Sequence, residues 1–156
     1  MNSIPTGVQQ LIQQEKVIVV GSVDKKGMSN TSPRSAISLT NSAIYWLDFF
    51  DHKSRKNFRY TPWVSVIVFD KQKQHGFQLK GKVSFLTGGK KNKWIYKIMK
   101  SLPNKISEVY KELTDINTLD VMEFKPKAIY SLNPRQNAGR ELILDKDKET
   151  IAMLGN

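Results

Sequence analysis

At 156 residues, with no cysteine and a formal net charge of +11, the chain has the size of one domain spanning 1–156, long enough for a substantial core. The missing thiols exclude disulfides and cysteine-based metal or redox centres. The basic excess leaves four partners open: nucleic acid, an anionic membrane surface, a phosphorylated small molecule, or water alone.

The N-terminal MNSIPTGVQQLIQQEK lacks the long apolar core of a signal peptide. No stretch approaches the roughly 18–20 apolar residues of a membrane span. A soluble, cytoplasmic protein without a membrane partner is the expectation. Residues 5–15 predict a short helix, with Pro5 near its start and Val8, Leu11 and Ile12 on one face. KVIVVGSVD (16–24), rich in β-branched residues, predicts a strand, and KKGM turns the chain at Gly27. Asn30 to Leu39 (NTSPRSAISL) predicts a second strand, whose Pro33 has no N–H to donate and so belongs at an edge or a bulge. AIYWLDFF (43–50) is the third strand. DHKSRKNFRYTP (51–62) follows as a short basic helix, then WVSVIVFD and, past the polar turn KQKQH, GFQLKGKVSFLT. Five strands at close spacing, joined mostly by tight polar turns, predict an antiparallel sheet closing into a barrel rather than βαβ units.

Beyond Thr87 the pattern becomes helical. GGKKNKWIYKIMKSL places Trp94, Ile95, Ile98, Met99 and Leu102 on one stripe. Pro103 stops that helix, and NKISEVYKEL resumes with Ile106, Val109, Tyr110 and Leu113 facing inward. LDVMEFKPKAIYSL returns as a long strand interrupted at Pro126, and the polar tail NPRQNAGRELILDKDKETI is expected to wrap a surface or a partner subunit. The fold class is therefore mainly β, a barrel with flanking helices.

The catalytic inventory is thin. His52 lies at a helix start and His75 in a turn, far from any carboxylate pair at metal-ligand spacing, and both read as surface residues. GSVDKKG and TGGKK lack the spacing and context of a P-loop, and GGKK reads as a helix start. No Ser–His–acid set emerges, so if the protein is an enzyme a cofactor supplies the reactive atoms. Lys90, Lys91, Lys93, Lys97 and Lys100 form a helix face that reads as solvated rather than membrane-bound. Trp63, Phe69 and Phe77 are the candidate stacking platforms for a nucleic acid. They sit in alternating or apolar runs, which favours core packing, so a basic nucleic-acid-binding β-barrel stands as an alternative reading and not as the expected one.

One segment invites an anion. Between two apolar strands, HKSRKN sets Ser54, Arg55 and Lys56 at a helix start, where exposed N–H groups and the helix dipole favour phosphate and Arg adds paired donors. Arg34 approaches from a neighbouring strand in SPRSAI. The spacing alone is equally compatible with a solvated connector.

The succession SPRSAI, YWLDFFDHKSRKN, PWVSVIVF and FQLKGKVSF resembles the FMN-binding split-barrel family related to pyridoxamine 5′-phosphate oxidases. Its motifs cover roughly residues 15–87, and the layout extends to Leu132. SRK in the helix after the third strand is the most specific element, with Gly81-Lys82 following later. The resemblance implies an antiparallel Greek-key split barrel that binds FMN as a homodimer, with the site between two barrels. Arg55 and Lys56 would hold the FMN phosphate with Ser54 and Arg34. The flavin ring would lie along the backbone from Arg34 through Ser35 to Leu39, near Gln78, and the backbone at Phe49 and Phe50 would line the ribityl chain. The C-terminus lacks the Trp/Arg-rich motif by which true pyridoxamine phosphate oxidases bind the vitamin phosphate, although Arg135 and Arg140 are placed to approach a ligand. The implied activity is flavin-dependent redox of a small molecule with a nicotinamide donor, NADH or NADPH. A non-catalytic flavin or haem binder, or a sensor, is the alternative on the same scaffold.

Overall fold

The computed structural model describes residues 3–113, 115, 118–135, 139, 141–144 and 151–153. Helix α1 (Thr6–Glu15) opens the chain and buries Val8, Leu11 and Ile12 as its spacing predicts. Strands β1 (Ile18–Val23) and β2 (Ser29–Arg34) form a hairpin around Gly27, whose φ of +81° is the left-handed conformation that favours glycine. The expected second strand divides here. After Ser35 and Ala36 the chain enters a separate strand, β3 (Ile37–Leu39), which pairs with β4 (Ile44–Asp48) and not with β1. Helix α2 (Lys53–Tyr60) then leads to β5 (Trp63–Asp70) and β6 (His75–Phe85). Helices α3 (Gly88–Ser101) and α4 (Asn104–Leu113) precede β7 (Asp120–Ser131), β8 (Glu141–Leu144) and β9 (Ile151–Met153).

The pairings are antiparallel, and the strands follow the order β2-β1-β5-β6-β7-β4-β3, with β8 and β9 added beside β7. Strands β2 and β3 lie at opposite ends of that order, yet Ser35 and Ala36 alone separate them in sequence. Three residue steps reach at most roughly 11 Å, so the sheet must curl until its ends nearly meet. The result is a curled half-barrel with flanking helices. Pro33 sits on the terminal strand β2, as its missing N–H requires.

Pro126 does not interrupt its strand as expected. Strand β7 runs continuously, and the register against β6 shifts between Lys80 and Gly81, so that Gly81 pairs with Pro126 while Lys80 pairs with Ala128. Gly81 allows this close approach, because a Cβ there would collide with the Lys125 carbonyl and lie 2.8 Å from Pro126 Cα. Within and just after the polar tail, residues 141–144 and 151–153 are strands.

The inner face packs Ile18, Val20, Val66, Leu79, Trp46 and Phe124 into one core, to which α1 adds Val8, Leu11 and Ile12 and α2 adds Phe58. A second core lies on the other side of β4, where Tyr45, Leu47 and Phe49 meet Trp94, Ile95 and Ile98 of α3. Strand β4 is therefore buried throughout, which explains its near-continuous apolar run. Tyr45 stacks on Trp94 at 3.7 Å and Phe49 on Tyr110 at 3.9 Å. On α4, Tyr110 packs inward, but Ile106 and Val109 are exposed, contrary to the expected stripe. The side chain of Leu113 lies outside the described residues. Among the described residues, no helix is long and apolar enough to cross a membrane.

Candidate functional site

The site is built where α2 meets the open end of the half-barrel. Along β4, Ile44, Trp46 and Asp48 share one face because strand side chains alternate. Asp48 thus follows two core residues into the barrel end. Arg34, the last residue of β2, faces the same interior, opposite buried Ile18. An ion pair therefore stands where a barrel end would ordinarily carry apolar side chains. The Arg34 Nε donates to Asp48 Oδ1 at 2.6 Å. One terminal nitrogen of Arg34 donates to Ser32 Oγ (2.8 Å) and the Pro33 carbonyl (2.9 Å), and the other donates to Ser54 Oγ at 2.7 Å. Asp48 is 1% exposed, and its Oδ2 has no partner among the described residues. Burial pushes its carboxyl above the usual range, against the opposing attraction of Arg34, Arg55 and His52.

Helix α2 is amphipathic over only two turns. Ser54, Arg55, Asn57 and Phe58 face inward; Lys53, Lys56, Arg59 and Tyr60 face out. Phe58 seals the barrel against Trp46, and Asn57 donates to Ser22 Oγ at 3.1 Å, fixing the helix to β1. His52 occupies the N-cap position without a side-chain capping hydrogen bond, so the helix start keeps donors to offer. Arg55 is buried beside it. Its guanidinium donates to Asp120 and to the Thr118 carbonyl (3.5 Å), while Nε has no partner among the described residues. Asp120 is less committed, since Arg59 at 3.9 Å and Lys91 at 3.8 Å also approach it.

The expected residues fall into three groups. Arg34, Ser35, Phe49 and Phe50 line a cavity of about 110 Å³ with Asp48, His52 and Tyr110. Ser54 joins them through Arg34, and Phe50, 44% exposed, stands at the surface. Lys56 does not share this cavity: it lines a neighbouring cleft of about 430 Å³ with Lys25, Lys26 and Lys53. Gln78 is further away. It lies on the outer sheet face in the cross-strand row Pro33–Val19–Ile67–Gln78, and donates to Ser65 Oγ at 3.2 Å. Three strand spacings separate it from Pro33, about 14 Å. Arg140 lies outside the described residues.

His75 opens β6 rather than sitting in the turn, and its ring packs edge-on against Phe77. Trp63 and Phe69 are 50% and 40% exposed, not core residues as their runs implied, whereas Phe77 is buried. Lys82 stands over the Trp63 ring and Lys80 over Tyr130. The sequence reading missed Asp48, Asp120 and Tyr110. Asp48 did leave a signal, as the one charge within AIYWLDFF. Tyr110 was expected to face inward but not to line the site, and Asp120 left no signal, because it reaches the site through long-range packing.

A family model described as pyridoxamine 5′-phosphate oxidase matches residues 4–133. No curated protein shows significant sequence similarity to the chain. Among solved structures, HupZ of Group A Streptococcus is similar with a TM-score of 0.68 at 16% identity, covering 87% of this chain and 98% of its own. A pyridoxamine 5′-phosphate oxidase-related, FMN-binding protein of Nostoc punctiforme gives 0.65 at 8% identity, covering 92% of each chain. HutZ, the haem storage protein of Vibrio cholerae, gives 0.63 at 13% identity, covering 80% of this chain and 91% of its own. At these identities the structural likenesses establish the split-barrel fold alone.

Proposed function

The chain belongs to the pyridoxamine 5′-phosphate oxidase family, and from that premise we propose that it is an FMN-binding oxidoreductase-like protein that works as a homodimer in the cytoplasm. The observation that carries this reading is Arg55, in the first turn of α2, a buried guanidinium whose Nε has no acceptor among the described residues, on a helix whose N-cap makes no side-chain hydrogen bond. A buried donor without an acceptor costs free energy, and a phosphate dianion is an acceptor of suitable charge for a helix start. These residues fit the phosphate of FMN. Arg55 and the first N–H groups of α2 would bind it, Lys53 and Lys56 would add charge from the solvent side, and Arg34 would hold Ser54 in place. Phe49 and Phe50 would flank the ribityl chain.

When bound, FMN supplies the redox chemistry, taking electrons from a nicotinamide donor and passing them to a small-molecule acceptor. The polypeptide binds, orients and shields. Dimerisation is supported by the outer sheet face, where Val19, Trp63, Ile67 and Phe69 leave apolar surface uncovered in one copy. Gln78 stands on that face, so a flavin lodged between two copies would meet it. A second reading, a non-catalytic flavin or haem binder, is favoured by the exposed imidazole of His52 on the cavity lining. The test is titration with FMN, riboflavin and haem, followed by reduction with NADH or NADPH. FMN preference with nicotinamide reduction supports the oxidoreductase. FMN binding without reduction supports the binder, and haem binding through His52 replaces both.

A further inference from the structure

The two arginines of the site are not equivalent. Asp120, the counter-charge of Arg55, is partly exposed and shared with Arg59 and Lys91. Arg55 therefore keeps much of its attraction for an anion. Arg34 faces a different carboxylate. Asp48 is almost wholly buried, bonds the Arg34 Nε at 2.6 Å, and lines the same cavity as Arg34. Its second oxygen points at no donor among the described residues. An anion drawn toward Arg34 thus enters a cavity that the Asp48 carboxylate also lines.

Resting on the FMN reading above, we propose that Asp48 is the specificity-determining residue of the site, an internal carboxylate that pairs with Arg34 and limits how strongly the site favours a phosphorylated ligand over its dephosphorylated form. Asp48 acts through Arg34 and touches no reacting atom, so it is a positioning residue. Phosphate recognition then falls mainly to Arg55 and the start of α2. The charged and titratable groups facing the Asp48 carboxylate are Arg34 from β2, His52 from the α2 N-cap and Arg55 from α2. Burial disfavours the Asp48 charge and the Arg34 guanidinium opposes that effect, so the charge depends on the pair staying together.

The test is Asp48→Asn, which keeps shape and removes charge. The affinities of wild type and variant for FMN and riboflavin are read by quenching of flavin fluorescence, and thermal unfolding is followed with each ligand. Removing Asp48 frees the Arg34 cation, so the preference for FMN over riboflavin should rise about tenfold to a hundredfold, the worth of one charge-assisted contact. FMN should also raise the Tm of the variant more than that of wild type, while riboflavin raises both alike. A purely structural role for Asp48 would weaken both ligands equally and leave the ratio unchanged, and that result overturns the assignment. If the variant folds only with ligand, recovery by FMN and not by riboflavin supports it, and recovery by neither refutes it. If wild type binds neither flavin, the FMN reading itself fails. Inorganic phosphate then decides the role of Asp48: it should stabilise Asp48→Asn more than wild type, and equal stabilisation overturns the assignment.

Discussion

Replacing Arg55 with Ala tests the phosphate anchor at its most committed residue. In the folded protein this side chain is buried, gives one terminal nitrogen to Asp120 and Thr118, and leaves Nε without an acceptor. Truncation does not strand Asp120, because Arg59 and Lys91 lie at 3.9 and 3.8 Å from its oxygens. The loss to folding should therefore be about 1–2 kcal/mol, below the roughly 3–5 kcal/mol of breaking an isolated buried pair. The loss to ligand is separate. A charge-assisted hydrogen bond contributes about 1.5–3 kcal/mol, so FMN affinity should fall about tenfold to a hundredfold. Riboflavin, which has no phosphate, should bind wild type and variant alike. Isothermal titration of both ligands against both proteins, with a Tm for each, separates the two losses. If Arg55→Ala weakens riboflavin as much as FMN, Arg55 supports the fold and not the phosphate. If wild type binds riboflavin as tightly as FMN, no phosphate anchor exists.

Sedimentation should show a dimer whose stability rises with protein concentration and with FMN; Trp63→Glu, on the partly apolar outer face, should shift it toward monomer, and a monomer retaining full FMN affinity would contradict a shared site. Arg34→Ala strands the buried Asp48 and should cost about 3–5 kcal/mol in chemical denaturation, whereas His52→Ala and His75→Ala should leave stopped-flow reduction of bound FMN nearly unchanged. Loss of reduction in His52→Ala with FMN still bound would assign proton chemistry to the protein. Glu123 provides a pH test. Burial works to raise its carboxyl, but hydrogen bonds from Tyr45, Lys90 and Lys125 prevail and hold it below its ordinary 4.5. A depressed carboxyl stabilises the fold above the unfolded value and loses that contribution as the pH falls. Wild-type stability should thus drop more steeply than that of Glu123→Gln between about pH 5 and 3. Parallel curves would show that Glu123 is not held this way.

Much of the barrel was legible because its signals are local. The turn at Gly27, the alternation in WVSVIVFD and the stripe of Trp94, Ile95 and Ile98 each specify an element within a few residues. What escaped depends on closure. The division of NTSPRSAISL into β2 and β3 follows from the two ends of the sheet meeting, and no local pattern in that segment records it. The continuity of β7 through Pro126 depends on Gly81, some 45 residues earlier in sequence, allowing the register shift. At the site, SRK announced the helix start and its cations, but the carboxylates that decide how much charge remains free were not expected. Asp48 was hidden within an apolar run whose strand fixed its direction, and Asp120 arrives from 65 residues beyond Arg55. Trp63 and Phe69 read as core residues because their neighbours are. Their exposure becomes visible only once the two faces of β5 are told apart.

The central claim, that the start of α2 holds the phosphate of FMN, is tested most directly by titrating ligand-free protein with FMN while following flavin fluorescence and absorbance, with haem titrated in parallel. Saturable quenching at one FMN per chain, competed by inorganic phosphate and weaker with riboflavin, is the predicted result. No saturation by FMN, or stoichiometric haem binding with an intense Soret band in its place, would contradict it.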